Sequence, residues 1–245
     1  MNDIYFNADL LGNPVKSYVA FLDVMGMQNH LTSSLKTSAN FMFKFHAAIL
    51  STIKHVEESC ASFTVYPIMD GAYVTTKESS HMMCFLSLLF TSLARLYLAE
   101  ENTLFRFIPR GAVSYGDLYH GSDVPEDASL IFSENKEYKA NLLIGKPMIK
   151  AFQYERHAAP FGIYIDDCAS CRFCENEKPF YREWRWYKYA PYELNKNDEA
   201  LDVGKLSKEL LKVFNELANR SYSEDEVRRH KAHQRSVERY FSESD

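Results

Sequence analysis

The chain has 245 residues, 46% of them hydrophobic and 25% charged, with a formal net charge of −5. That length supports a full hydrophobic core, as one large domain or a domain with an appendage. The acidic balance argues against a protein that docks on nucleic acid or on a charged membrane surface.

At the N-terminus Asp3 and Asp9 interrupt any apolar stretch, so no signal peptide is expected. Residues 17–24 read as a buried strand ended by Gly26. From about Leu31 to Glu58, Phe41, Phe45, Ile49 and Ile53 recur at four-residue steps and give one helical face. A hairpin follows, with strands near 62–68 and 72–76 turning at Met69-Asp70-Gly71. The next helix, roughly 79–100, is the most lipid-like segment. His81 and Arg95 bracket only 13 uncharged residues in it, short of the roughly 17–25 that span a bilayer, so it reads as a buried helix. Residues 104–116 alternate as a strand, and Gly116 and Gly121 mark a second hairpin around Asp117-Leu-Tyr-His120. Residues 122–137 read as a surface loop, Asn141 to Arg156 as a helix, and Phe161 to Ile165 as a strand.

The resulting order is β-α-β-β-α-β-(β)-α-β. It predicts an α/β (α+β) sandwich of the ferredoxin-like βαββαβ kind over residues 1–166. Residues 167–245 form a C-terminal β/helical extension packed on the same domain. Within it Phe180 to Tyr189 alternates aromatic and charged residues like an edge strand or hairpin shielding the core. Leu201 to Leu217 is an amphipathic helix, and 222–245 is a charged helical tail. His120, His157, His230 and His233 read as surface residues. The five cysteines are an odd count and make no disulfide framework, which points to a cytoplasmic protein. Cys168-Ala-Ser-Cys-Arg-Phe-Cys174 has zinc-like spacing, but no second pair completes four ligands.

Two segments carry the chemistry: Tyr18-Val-Ala-Phe-Leu-Asp-Val-Met-Gly-Met27 and Phe63-Thr-Val-Tyr-Pro-Ile-Met-Asp-Gly-Ala-Tyr-Val74. Each is an apolar run holding one carboxylate, Asp23 or Asp70, followed within three positions by glycine. A carboxylate ending an apolar strand is costly to desolvate unless paired or bound to a metal. With the Val24 carbonyl, Asp23 and Asp70 offer the hard oxygen ligands that divalent cations take. The alternative makes Asp23 a helix cap and Asp70 a turn residue. Backbone N–H groups from Val24 to Met27, with Gly26 allowing close approach, suit a phosphate cradle. An ordinary strand-to-helix turn has the same sequence.

These motifs resemble the catalytic domain of class III nucleotide cyclases. Phe21-Leu-Asp-Val-Met-Gly-Met27 matches that family's F-x-D-I/V-x-G-F, and Asp70 its hairpin carboxylate. Arg110-Gly-Ala-Val-Ser-Tyr-Gly116 echoes R-I-G-I-N-T-G, and Gly145 through Ala151 to Glu155 echoes a helix closed by A-x-x-x-E. The resemblance covers residues 17–166. Where adenylyl and guanylyl cyclases place a base-reading Lys or Glu, this chain has Tyr66. Lys146 replaces the Asp or Cys after the helix-opening glycine, and Ile149 and Gln153 replace the transition-state Asn and Arg. In these departures the chain is more similar to the pyrimidine cyclases of bacterial anti-phage (Pycsar) systems.

The resemblance implies attack of a ribose 3′-hydroxyl on the α-phosphate with loss of pyrophosphate, assisted by two divalent cations (Mn2+ or Mg2+) at Asp23, Val24 and Asp70. It implies substrate contacts from Phe21, Gly26, Met27, Tyr66 and Lys146. Because Gln153 carries no charge, the cation for the transition state falls to Arg110, which opens the strand crossing the site, or secondarily to Arg106; the alternative for either is an ion pair at a strand end. Lys146 donates and cannot accept, which suits the O4 of uracil and favours UTP over CTP. Tyr66 reads equally as a core tyrosine, and Lys146 as a solvated helix residue. The family implies a head-to-tail homodimer with sites at the interface. A cyclic UMP product would be read by a separate effector, with no nucleic-acid or membrane partner.

Overall fold

Strand β1 (Val15–Val24) is the hub of the fold, because side chains on its two faces enter two different cores. Tyr18, Ala20, Leu22 and Val24 face one way, and Val19 and Phe21 the other, the period of two that a strand imposes. The computed structural model describes residues 5–27, 31–32, 34–57, 61–169, 182–189 and 200–242. Among these, β1 pairs antiparallel with β3 (Gly71–Thr76) and β4 (Pro109–His120). Strand β2 (Thr64–Ile68) extends one edge. On the other side β6 (Ile163–Ile165) runs parallel to β4, and β7 (Glu183–Trp184) follows it. The order is β2-β3-β1-β4-β6-β7, with β5 (Leu143–Ile144) beside the end of β4.

Helices α1 (Leu35–Glu57) and α2 (Ser79–Ala99) cover one face. Phe41, Phe45, Ile49 and Ile53 of α1 are all buried there against Phe85, Leu89 and Leu93 of α2. By length and composition α2 could cross a membrane, yet eleven of its residues are buried within the protein. Two short helices follow β4, α3 (Leu130–Glu134) and α4 (Lys136–Ala140). Helix α5 (Lys146–Glu155) lies on the opposite face, where Ala151 closes over Val19, Phe21, Tyr66, Tyr73 and Leu118.

Three expectations are corrected. No hairpin occurs at Gly116: β4 continues to His120, paired with β1 from Val24↔Pro109 to Val15↔Leu118. Gly116 instead makes room for a neighbour, since a Cβ there would lie 3.0 Å from the Pro147 side chain. Residues 122–137 hold two 3-10 turns, the whole of α3 and the start of α4 rather than irregular loop. The helix expected from Asn141 begins only at Lys146, because Leu143 and Ile144 pair with β4.

After β7, Trp186 is fully buried, its Nε1 donating to the Phe161 carbonyl at 2.7 Å. Helix α6 (Val203–Arg220) buries Leu206, Leu210 and Phe214. Helix α7 (Glu224–Tyr240) returns to the sheet, where the Tyr240 hydroxyl donates to the Trp184 carbonyl. Trp186→Ala is expected to lower unfolding free energy by about 3–5 kcal/mol in urea titration. A loss under about 1 kcal/mol would mean the indole is not packed as described. Cys171 and Cys174 lie outside the described residues; Cys168 is exposed, its sulfur 3.1 Å from Lys150 Nζ.

Candidate active site

Asp23 sits near the tip of β1, on the face opposite α1 and α2. Its cross-strand partners are Gly71 on β3 and Arg110 on β4. Directly opposed residues share a face with Cβ atoms about 5 Å apart, so Arg110 lies beside the Asp23 carboxyl. Asp70 belongs to the turn joining β2 to β3, in which Met69 takes the left-handed φ of 48°. That turn is pressed onto β1, because a Cβ at Gly71 would meet the Leu22 carbonyl at 2.5 Å. Only glycine permits so close an approach. The two strand-end carboxylates therefore converge on one edge.

A third carboxylate joins them. Glu155, only 6% exposed, ends α5 and accepts from Arg110 Nε. Burial, then the charges of Glu155 and Asp70, push the Asp23 carboxyl up to about 7, against the opposing pull of Arg110. A side-chain hydrogen bond between Asp23 and Glu155 raises the first and lowers the second. Burial also raises Glu155, while Arg110 and Asp23 hold it towards its ionised form. Among the described residues, no three His, Cys, Asp or Glu side chains are arranged as a metal cage. Asp23 and Asp70 are oxygen donors of the kind a hard divalent cation takes.

Phe21 lies on the same face, ringed by Tyr73 and Phe152 at 4.9 and 5.1 Å between centroids. Gly26 has φ of +75° and open space around it, so its glycine serves the backbone turn. The Met27 side chain is buried in the main core, leaving only its backbone for a ligand. The Met25 N–H is already taken by the Ile108 carbonyl at 2.9 Å, which narrows the phosphate cradle to its neighbours. Tyr66 is buried two strands away from β1, its hydroxyl 2.6 Å from His120 Nδ1. Lys146 is exposed at the start of α5. Nine residues separate it from Glu155, about 14 Å along the helix axis, so this chain does not bring it to Asp23.

Arg106 is engaged elsewhere, with Nε donating to the Glu100 carbonyl and Nη1 paired with Glu209 at 2.9 Å. Ile149 and Gln153 are both exposed on α5. His120 is buried, and His230 and His233 are half-buried against Phe214, so the expectation that they are surface residues is corrected. Burial, and then Arg110, push His233 down to about 4, which places α7 within electrostatic reach of the site.

No family model matches the sequence, and no curated protein matches it. Solved structures do. The guanylate cyclase domain of RhGC from Catenaria anguillulae, in complex with GTP, shares 13% identity over 68% of this chain and 85% of its own, with a TM-score of 0.49. A double mutant of the guanylyl cyclase domain of the RhoGC fusion protein from the aquatic fungus Blastocladiella emersonii shares 11% identity. It covers 68% of this chain and 86% of that one, with a TM-score of 0.50. The chain has the class III nucleotide cyclase fold. In this cyclase fold the residue that sequence reasoning left out of the site is Glu155, noted only as the end of a motif. Its signal was present: a lone carboxylate on the buried side of a helix raises the same desolvation cost as Asp23.

Proposed function

We propose that the protein is a nucleotide cyclase, and that its substrate is a pyrimidine nucleotide, UTP, converted to 3′,5′-cyclic UMP and pyrophosphate. The observation that carries this reading is the convergence of Asp23 and Asp70 beside Arg110 at one edge of a class III cyclase fold. Residues 1–166 are the catalytic unit, and 167–245 an extension packed on it. Asp23, Asp70 and the Val24 carbonyl would hold two divalent cations (Mn2+ or Mg2+), which lower the pKa of the 3′-hydroxyl and neutralise charge on the phosphates. Burial, and then repulsion from Glu155 and Asp70, drive the Asp23 carboxyl up to about 7, and bound cations would relieve that electrostatic deficit.

Arg110 balances charge that develops on the phosphate oxygens as the 3′-oxygen–phosphorus bond forms and pyrophosphate leaves. The backbone around Gly26 borders the phosphates, and Phe21 floors the site. Lys146 reads the base from the second copy in a head-to-tail homodimer, while Tyr66, expected to contact the base, is instead buried with Phe21, its hydroxyl on His120. Exposed Phe152 and Ile149 on α5 and Met69 at the turn are the apolar residues such a partner would cover. The product would act as a cytoplasmic second messenger in anti-phage defence, read by a separate effector.

Incubating the protein with Mn2+ and each of the four nucleoside triphosphates tests this. UTP is expected to yield cyclic UMP and pyrophosphate. Turnover confined to CTP would keep the pyrimidine cyclase and refute the choice of uracil made through Lys146, and turnover confined to ATP or GTP would keep the cyclase and refute the pyrimidine assignment. No turnover of any nucleotide would favour a second reading, a non-catalytic nucleotide-binding or dimerisation module. The exposed, uncharged pair Ile149 and Gln153 is the feature on its side.

A further inference from the structure

Arg110 is held by one edge only. Its Nε donates to Glu155, and among the described residues neither terminal nitrogen has a protein hydrogen-bond partner. A guanidinium has two usable edges, and a carboxylate on one leaves the other free for a bidentate grip on phosphate. Glu155 itself has little freedom. It is the last residue of α5, it is buried, and one turn earlier Ala151 seats the helix on Val19, Phe21 and Leu118. Across the strand from Arg110 stands Asp23. Without Glu155, that carboxylate is the anion facing the guanidinium, and an ion pair between them would occupy an oxygen assigned to a cation.

We infer that Glu155 is a positioning residue, which holds Arg110 by its Nε edge, keeps it off Asp23 and turns its terminal nitrogens to a phosphate of the bound nucleotide. This rests on the cyclase reading of the same site. A double-mutant cycle tests it, using Glu155→Gln, Arg110→Ala and the pair, with kcat/KM measured on the nucleotide the wild type uses. Alone, Glu155→Gln is expected to lower kcat/KM about 10–100-fold. On top of Arg110→Ala it is expected to cost less than about twofold, because its effect passes through Arg110. Mn2+ affinity is expected to fall in Glu155→Gln but not when Arg110→Ala is also present, because the competing ion pair needs Arg110. An equal loss in both backgrounds, of kcat/KM or of Mn2+ affinity, overturns the proposal.

Arg110→Lys guards against misfolding of the glutamine variant, since it keeps the charge beside Glu155 but has no second edge. It is expected to lose the same 10–100-fold, and full activity in it refutes the inference. If wild type turns over no nucleotide, the cyclase reading fails by itself. The same cycle read by calorimetric binding of pyrophosphate with Mn2+ then judges Glu155 separately: a tenfold loss confined to the Arg110 background supports it, and no loss overturns it.

Discussion

Replacing Asp70 with alanine is expected to cut turnover by about 10²–10³-fold or more while leaving the thermal midpoint within a few degrees of wild type. The asymmetry follows from where Asp70 sits. Its side chain is half-buried in a two-residue turn and accepts no hydrogen bond from the protein among the described residues. The turn itself depends on Met69 in the left-handed region and on the contact between Gly71 and the Leu22 carbonyl. Neither uses the carboxylate, so its removal is a surface-like change worth at most about 0.5 kcal/mol. Preorganised charge at the reacting phosphate is worth far more, since losing one such group typically costs 10²–10³-fold in rate. Turnover retained within tenfold by a folded Asp70→Ala protein would remove Asp70 from the site and the two-cation reading with it.

The parts of this site that were legible in the sequence are those set by local periodicity. Phe41, Phe45, Ile49 and Ile53 announce α1, and the isolated carboxyls of Asp23 and Asp70 announce a pair of strand ends that need charge compensation. What was hidden depends on non-local contact. Gly116 looks like a turn residue because Gly and Asp at 116–117 are turn formers. The requirement it meets is steric, the approach of Pro147 across from a different element. Glu155 and Arg110 are 45 residues apart, and nothing in spacing links them before α5 is laid across β4. The same holds for Tyr66 and His120, joined by a hydrogen bond between β2 and the far end of β4. Likewise the charged tail reads as solvated until α7 packs its few apolar residues, Val237 and Tyr240, into the core.

Asp23 makes the second large prediction, one in which function and stability oppose each other. Asp23→Asn is expected to abolish turnover, yet to stabilise the metal-free protein at neutral and alkaline pH. The carboxyl titrates near 7 in the folded chain against an ordinary value of 3.8. The folded state thus binds the proton more tightly than the unfolded state. Below about pH 4 both states carry it, and folding keeps the full benefit. As pH rises from about 4 to about 7 the unfolded chain releases the proton first, so folding stability falls across that window and levels off above it. The displacement corresponds to an upper bound of about 4 kcal/mol, and partial solvent access to the group brings the expected loss to about 2 kcal/mol. Asparagine keeps the shape and carries no charge, so the variant should match wild type near pH 4–5 and exceed it at pH 8. Divalent cation should reverse the order: saturating Mn2+, at about 100 times its Kd, adds about 2.7 kcal/mol to the protein that binds it and little to the variant. Thermal unfolding of both proteins from pH 5 to 8, with and without Mn2+, measures all of this. Parallel curves for the two would mean that Asp23 is a solvated strand-end carboxylate, and that the edge of the sheet holds no strained charge for a cation to relieve.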